Sequence, residues 1–497
     1  MLTDHNQILD RWQEHYYGLL NTRNPCDPNK LNVIPDRPII YEMNTTPTIR
    51  EIKDAIHNLE NNKAPGFDGI PGEVIKYGGN TLHSRLHEMI SAMWREERVP
   101  QQWKDAKIIS IFKKKGDQAI CGNSRGISLL SIVGKVFTKV LLTRLNKYIV
   151  DSVCPETQCG FRKERSTIDM IFTARQLQEM SREQHQNLYM VFIDIKKAYD
   201  TVNREMLWNI MHKFGCPDKF ISIVRAFHDG MKASVSVGGN ETAPFNVELG
   251  VKQGCVIAPI LFNIYLATAT ILFHGRLPPG SIDITYRLDR NLFDLRSLQA
   301  QTKVSHGKVS ELQYADDCVL VSHSPEDLQK ALNIIHDVYS ALGLVINTDK
   351  TEVMCQCTGE VPQVKPVFTI AGTELKTCTQ FNYLGSILSD DCSIDEEVNK
   401  RINKASAAFG GLYKRVFKNH NLRLATKIAV YRTVCLNVLL YGCETLTLYR
   451  RHIRLLETFH MQCIKMILGI TWQDHIPYTD MLERAKISSI ECLLFGR

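Results

Sequence analysis

The 497-residue sequence predicts an α+β fold, a central mixed sheet with helical lobes before and after it. Three observations predict it. Leu188–Ile193 (LYMVFI) is an unbroken apolar run of strand length, as expected of a strand buried on both faces. Short β-branched runs bounded by turn residues stand before and after it. Helical spacing of apolar residues dominates both ends of the chain. Hydrophobic residues make up 44% and charged residues 23%, a globular composition that excludes a disordered, collagen-like or coiled-coil chain.

The elements follow in order. Positions 1–47 are polar with scattered prolines and read as an N-terminal extension. Ile52, Ala55, Ile56 and Leu59 give 48–61 a helical stripe, and 81–97 is a second amphipathic helix. Ala106–Phe112 is an apolar, β-branched strand that feeds the basic loop Lys113-Lys-Lys-Gly-Asp117, and 131–150 is again helical. Segments 234–237 and 245–249 bracket Gly238-Gly239-Asn240, a hairpin signal. A short strand at 319–321 follows Tyr314-Ala-Asp-Asp317. The clearest helix is 324–342, with Ser324 as cap, Pro325 at its first position, Asp327 completing a capping-box-like pair, and Gly343 as its stop. Segments 344–346, 367–370 and 381–388 read as strands, and from 395 the pattern is helical and basic.

The fifteen cysteines are scattered and form no Cys-x-x-Cys pair, so no structural zinc site is expected and a reducing compartment fits. The N-terminal MLTDHNQILDRWQEHYY lacks an apolar signal core. No apolar run approaches the ~20 residues of a membrane helix; the longest, 434–443, is broken by Asn437. The expectation is an intracellular protein, nuclear or cytoplasmic, neither secreted nor bound to a membrane. The net charge of +7 is uneven. Between 398 and 470 there are thirteen Lys and Arg against two acidic residues, Glu444 and Glu457, so that stretch carries +11. Such a lobe is either a solvated helical surface or a phosphate-binding face.

Three carboxylates stand at strand ends: Asp194 after LYMVFI, and the doublet Asp316-Asp317. Adjacent carboxylates repel, and buried strands beside them raise the cost of ionisation, so positive charge must compensate. Two hard divalent cations would do so while activating a hydroxyl and stabilising a departing pyrophosphate. Taken alone, the doublet is equally a hairpin turn and Asp194 a strand-end cap.

The series around them decides between these readings. Asp194-Ile-Lys-Lys-Ala-Tyr-Asp200 is followed by Gly250-Val-Lys-Gln-Gly-Cys-Val-Ile-Ala-Pro259, then Tyr314-Ala-Asp-Asp317, then Gly343-Leu-Val-Ile-Asn-Thr-Asp-Lys-Thr-Glu-Val353, then Phe381-Asn-Tyr-Leu-Gly-Ser386. In this order they closely resemble the palm motifs of reverse transcriptases, most of all those of non-LTR (LINE-like) retrotransposons. Lys63-Ala-Pro-Gly-Phe-Asp-Gly-Ile-Pro71, Asn123-Ser-Arg-Gly-Ile-Ser-Leu-Leu130 and Gly160-Phe-Arg162 are similar to the family's fingers signatures. The family usually has proline where this chain has Phe67 and Gly126.

The resemblance implies a right-hand polymerase fold: fingers over 48–187, an antiparallel-sheet palm over 188–394, and a basic helical thumb over 395–497. It implies RNA-directed DNA polymerase activity, nucleotidyl transfer to a primer 3′-hydroxyl with two Mg²⁺ ions (Mn²⁺ as substitute). The implied partners are an RNA template, a DNA primer or target DNA, and deoxynucleoside triphosphates. Asp194, Asp316 and Asp317 match the catalytic, metal-binding trio, with Asp317 the least direct ligand. Lys350 resembles the general acid toward pyrophosphate. Arg125 matches a triphosphate-binding arginine, assisted by one of Lys113, Lys114 and Lys115. Tyr199 falls at the steric gate against a 2′-hydroxyl. Gln253 and Gly254 match the loop against nucleotide and template base, and Tyr383, Leu384 and Gly385 the primer grip. Lys414, Arg415, Lys418, Arg423, Lys427 and Arg432 become phosphate contacts, while Asp200 reads as a helix cap or ion-pair partner. Such elements usually carry an endonuclease before the polymerase, for which the residues ahead of the first motif are too few, so a fragment or a degenerate copy is expected. A host-adapted polymerase and a non-catalytic nucleic-acid-binding remnant are the alternatives; the intact carboxylate trio argues against the remnant.

Overall fold

The computed structural model describes residues 4–22, 24–114, 116–252, 254–278, 282–287, 304–358 and 366–497. Its centre is a five-stranded sheet in the order Lys376–Cys378, Glu352–Gln356, Leu188–Ile193, Asp317–Ser322, Glu311–Tyr314. The middle strand pairs antiparallel with both neighbours, Val191 facing Leu320 on one side and Val353 on the other. The edge strand Lys376–Cys378 runs parallel to Glu352–Gln356, so the sheet is mixed. All six residues of Leu188–Ile193 are buried. Tyr189, Val191 and Ile193 point into one core, and Leu188, Met190 and Phe192 into another. Strand alternation thus sends one apolar run to both faces.

A second sheet carries Ser124–Leu129, Ala106–Phe112, Lys232–Val237 and Asn240–Glu241 in that order. Ala106–Phe112 is antiparallel to Ser124–Leu129 and parallel to Lys232–Val237. Helices form where the spacing places them: Ile49–His57 with a Thr48/Glu51 capping box, Gly79–Glu96, Ile132–Leu145, and Pro325–Ala341, whose Ser324 cap accepts from Asp327 N. Helices from Asp395–Leu412 onward make a C-terminal unit with its own apolar core.

Several expectations shift. Segment 1–47 is no loose extension. His5–Leu20 is a helix, Tyr16 and Leu31 are buried, and the helix packs on the second sheet through a Tyr16–Ser110 hydroxyl contact of 3.1 Å. The return strand of the Gly238-Gly239 hairpin begins at once with Asn240–Glu241, since both glycines take the positive φ of a two-residue turn. At 344–346 only Ile346 pairs, with Ile195, and the 367–370 strand shortens to Thr369–Ile370. The 381–388 run is two strands, Gln380–Tyr383 and Ser386–Ser389, folded back at Leu384 (φ 46°) and Gly385 (φ 90°). One run, Leu424–Thr445, is long and apolar enough to cross a membrane by length and composition, which the sequence reading did not anticipate. Its Ile428, Tyr431, Cys435, Leu436, Leu439 and Leu440 lie in the C-terminal core. All fifteen cysteines are free.

Candidate active site

The two sheets and the N-terminal helix enclose a cleft of about 570 Å³. Asp194 enters it directly after the buried middle strand, whose hydrogen bonding fixes the backbone on both sides. Asn347 holds it twice: its backbone N–H donates to Asp194 O (2.8 Å) and its Nδ2 to Asp194 Oδ2 (2.8 Å). Lys350 Nζ lies 3.6 Å from the same carboxylate. Asp316 enters the cleft from the two-residue turn between Glu311–Tyr314 and Asp317–Ser322. Ala315 in that turn has φ 54°, a conformation that costs an L-residue with a Cβ roughly 1–2 kcal/mol.

The cleft brings Asp194 and Asp316 together but leaves Asp317 out of its lining. Asp317 is the first residue of its strand and alternates with buried Cys318, so its side chain turns to the face shared with Val319 and Val321. Among the described residues no group of three or more His, Cys, Asp or Glu is placed to hold a metal ion. The expected carboxylate trio is therefore a convergent pair with a third member beside it. Charge repulsion nevertheless runs through all three. Burial, and then the charge of Asp194, pushes Asp316 above the usual carboxylate range. Asp317 rises to about 6 through desolvation and the charges of Asp316 and Asp194, although its side chain reaches solvent. A divalent cation would remove that repulsion. Mg²⁺ is commonly held by one or two carboxylates plus substrate phosphates, so a pair suffices on the protein side.

Lys113, Arg125, Lys197 and Lys350 line the same cleft. Burial, and then the charges of Lys350, Arg125 and Lys197, lower the Lys113 pKa, with Asp200 opposing them. Of the three candidate lysines, Lys113 lines the cleft, Lys114 does not, and Lys115 lies outside the described residues. Asp200, read as a cap or ion-pair partner, is neither. Asn203 caps the following helix, and Asp200 makes no ion pair within 4 Å among the described residues. Burial lifts its carboxyl to about 6 against the pull of Lys197, Arg125 and Lys113.

Tyr199 lines the cleft with its ring 4.5 Å from that of Phe262, and burial raises its hydroxyl pKa. The loop at 250 packs directly on it: Val251 N–H donates to Tyr199 O (2.9 Å). Gly250, at φ 75°, lies so close that a Cβ would meet the Tyr199 and Asp200 carbonyls at 2.8 Å. Gln253 lies outside the described residues. Gly254, at φ 111°, packs on Ser128 O, where a Cβ would come to 2.5 Å. In the grip turn, Tyr383 is buried in the core beneath the sheet, and Leu384 and Gly385 form the turn itself. Lys414, Arg415, Lys418 and Arg423 are exposed and Lys427 half-buried. Arg432 is committed to its own chain, donating to Lys486 O.

Three groups were not visible as site residues in the sequence. His15 and Tyr16 of the N-terminal helix line the cleft. The Tyr16 ring covers Gly126, where a Cβ would approach Tyr16 Cε1 to 2.7 Å, so the missing proline makes room for it. Arg204 is buried and donates to the carbonyls of Gly250 (3.0 Å), His228 (3.0 Å), Val247 (2.9 Å) and Leu249 (3.1 Å), holding the loop against Tyr199. Lys252, brought down to about 7 by burial, ties that loop to Lys104 O (2.6 Å) and Phe227 O (2.7 Å). Neither cation has a sequence signal, because each serves carbonyls contributed by distant segments.

With this geometry in place, comparison with known families is decisive. The profile described as reverse transcriptase (RNA-dependent DNA polymerase) matches residues 112–388, more than half of the chain. The chain belongs to the reverse transcriptase family. Among curated relatives, it is 23% identical over 439 residues to an RNA-directed DNA polymerase from mobile element jockey of Drosophila funebris, covering 86% of this chain and 44% of that protein. It is 25% identical over 395 residues to a 149 kDa protein of transposon TX1 from Xenopus laevis, covering 78% and 28%. It is 24% identical over 401 residues to a protein of transposon BS from Drosophila melanogaster, named as a probable RNA-directed DNA polymerase, covering 80% and 42%. The chain spans less than half the length of each of these relatives.

Proposed function

We propose that the chain is the RNA-directed DNA polymerase of a LINE-like, non-LTR retrotransposon, acting inside the cell in the nucleus, the cytoplasm or both. One observation carries the reading: two carboxylates from different elements, Asp194 and Asp316, share a cleft with Lys113, Arg125, Lys197 and Lys350. A deoxynucleoside triphosphate, anionic at one end and divalent-cation-bound, complements such a split field. In this reading the sheet of Leu188–Ile193 is the palm, the segments before it the fingers, and the C-terminal unit the thumb.

Asp194 and Asp316 would hold Mg²⁺ (or Mn²⁺), with Asp317 contributing charge from beside them. Such cations, when bound, would acidify the primer 3′-hydroxyl and neutralise charge on the pyrophosphate. Arg125, Lys113 and Lys197 bind phosphate oxygens and align the α-phosphate with the attacking hydroxyl; positioning of this kind supplies most of the acceleration in phosphoryl transfer. Asn347 fixes the orientation of the Asp194 carboxylate. Lys350 exchanges Asp194 for the leaving pyrophosphate and donates its proton there. Tyr199, backed by Phe262 and the Gly250 loop, occupies the space a ribose 2′-hydroxyl would need. Gly254 lies against nucleotide and template base, a task that the motif assigns to Gln253 as well. The turn at Leu384 and Gly385 meets the primer end, with Tyr383 anchoring it from below. The exposed Lys414, Arg415, Lys418 and Arg423 and the half-buried Lys427 meet duplex phosphates, which hold position without reading sequence. Arg432 belongs with these only if it releases Lys486.

The test is Mg²⁺-dependent extension of a DNA primer by the purified chain on poly(rA) and on poly(dA). Extension is expected on the RNA template and absent from Asp194→Asn. Equal extension by that variant, or none on poly(rA) by the parent, refutes the assignment.

A further inference from the structure

The segment between residues 154 and 166 carries Gly160-Phe-Arg162, which the polymerase reading leaves without a task. It lies along the edge strand Glu311–Tyr314. Gln313 N–H donates to Thr157 O and Cys159 N–H to Gln313 O, both at 2.9 Å. Between these bonds Gln158 is wholly buried. Its side-chain amide grips the backbone of a single residue from both ends. Oε1 accepts from Ala315 N–H at 3.0 Å, and Nε2 faces Ala315 O at 3.4 Å. The same Oε1 accepts from Gly160 N–H at 2.8 Å, so the gripping amide is itself held. Gly160 presses against the turn, since a Cβ there would meet Ala315 N at 2.3 Å. Asn263 Nδ2 donates to Gly160 O and secures the segment from the helix Ala258–His274.

Ala315 is the residue held in the left-handed region, with Asp316 next to it. A two-residue turn with positive φ at its first position ordinarily uses glycine there. This chain uses alanine, which leaves that conformation unless something holds it. Gln158 supplies a donor and an acceptor aimed at the same residue, as a paired strand would.

We propose that Gln158 is a positioning residue for nucleotidyl transfer: it holds Ala315 in its left-handed conformation and thereby fixes Asp316 in the cleft. The inference rests on the polymerase reading for its consequence, but not for its geometry. Arg162 serves the same device from behind, donating to Pro155 O (2.9 Å) and Gln158 O (3.3 Å).

Two readouts on the full chain test it. The first needs no catalysis: hydrogen exchange at the Ala315 amide. Gln158→Met fills the same space with neither donor nor acceptor, and should expose that amide to rapid exchange while leaving the amides of Leu188–Ile193 protected. The second is single-turnover primer extension. Gln158→Met should slow it tenfold to about 100-fold, the cost of displacing a reacting group by about 1 Å, with the nucleotide KM little changed. Adding Ala315→Gly, which accepts positive φ freely, should recover most of that loss. A residue that merely fills the core would show no such rescue. Should Gln158→Met fail to fold, Gln158→Asn keeps an amide in the space but stops a methylene short of Ala315, and the same outcomes apply. Unchanged exchange at Ala315, a rate near the parent's, or a slow rate that Ala315→Gly does not restore overturns the proposal. If the parent extends no primer, the polymerase reading fails, and the exchange experiment still decides whether Gln158 holds the turn.

Discussion

The two faces of the central sheet pack into two apolar cores, one of them running from Tyr16 to Leu375, whereas the helices after residue 395 keep a core of their own. The two regions meet at the turn of Leu384 and Gly385 and where the helix Thr167–Glu183 lies against Cys443–Thr445, with Thr167 Oγ1 3.0 Å from Tyr441 Oη. Arg401 donates to Gly385 O, and Tyr441 Oη donates to Leu384 O at 2.8 Å. Glu397 Oε2 accepts from Ile387 N–H at 2.7 Å, and Arg175 reaches Ser386 Oγ and Ile387 O from the other side. The cleft carboxylates are thus set by close packing, which tolerates little displacement. The basic unit keeps a core of its own and can be perturbed separately. Chemistry and duplex holding should then respond to different substitutions.

The largest separation is expected from Asp194→Asn. Extension should fall by roughly 10³-fold or more, because the ligand charge for the cation is lost. Binding of a primer–template duplex, measured by fluorescence anisotropy, should stay near the parent's. A matching loss of duplex affinity would erase the distinction between the regions.

Next comes the join. Glu397 and Arg401 are paired and almost wholly buried. Arg401→Met strands the Glu397 charge and should cost about 3–5 kcal/mol in denaturant unfolding, whereas Glu397→Gln with Arg401→Met should recover most of it. Product length should shorten in the single variant while the rate of the first addition holds.

Smaller still is the effect of replacing Lys414, Arg415 and Lys418 with Gln. If all three meet phosphates, the slope of log K against log salt flattens by about 2 to 3. Single-turnover chemistry should not change. An unaltered slope would leave these cations as ordinary solvated surface.

The smallest effect concerns pH and belongs to the cleft alone. Asp200 titrates near 6 in the folded chain against an ordinary 3.8, so its ionisation opposes folding. The stability of its neutral form is fully present below the unfolded pKa and is withdrawn as pH rises through the folded one. Asp200→Asn stays neutral throughout. It should melt with the parent near pH 4 and above it by no more than a few degrees at pH 8. A difference that grew toward acid pH instead would reverse the assigned shift.

Much of this was legible in the sequence, and the boundary has physical causes. Leu188–Ile193 announced a doubly buried strand because both of its faces need apolar side chains. Ser324, Pro325 and Gly343 marked a helix because capping chemistry is local. Asp194, Asp316, Lys350, Arg125 and Tyr199 were found through ordered motifs, and the structure gathers all five at one cleft. What escaped notice depends on contacts between distant segments. Arg204 and Lys252 read as ordinary polar residues until the carbonyls they serve fold over them. Asp317 was matched through the motif as the less direct member of the trio, and in the structure it stands beside the cleft rather than in its lining. The helix His5–Leu20 looked like a polar leader because its apolar stripe, Trp12, Tyr16, Leu19 and Leu20, is narrow and interrupted by charge.

That helix has a consequence for how the protein is made. Asn21 beside it bonds Asn246 O and accepts from Glu248 N–H, and Leu20 O accepts from Leu249 N–H. The helix is synthesised before these partners, which follow 225 to 229 residues later. At roughly 5–20 residues per second, it waits on the order of 10 to 50 s with Trp12 and Tyr16 uncovered. The cleft therefore cannot close during early translation, and its completion is a late, long-range event. Codon tempo and chaperone access while residues 21–249 are being made should affect the yield of folded protein more than any change confined to the basic C-terminal unit.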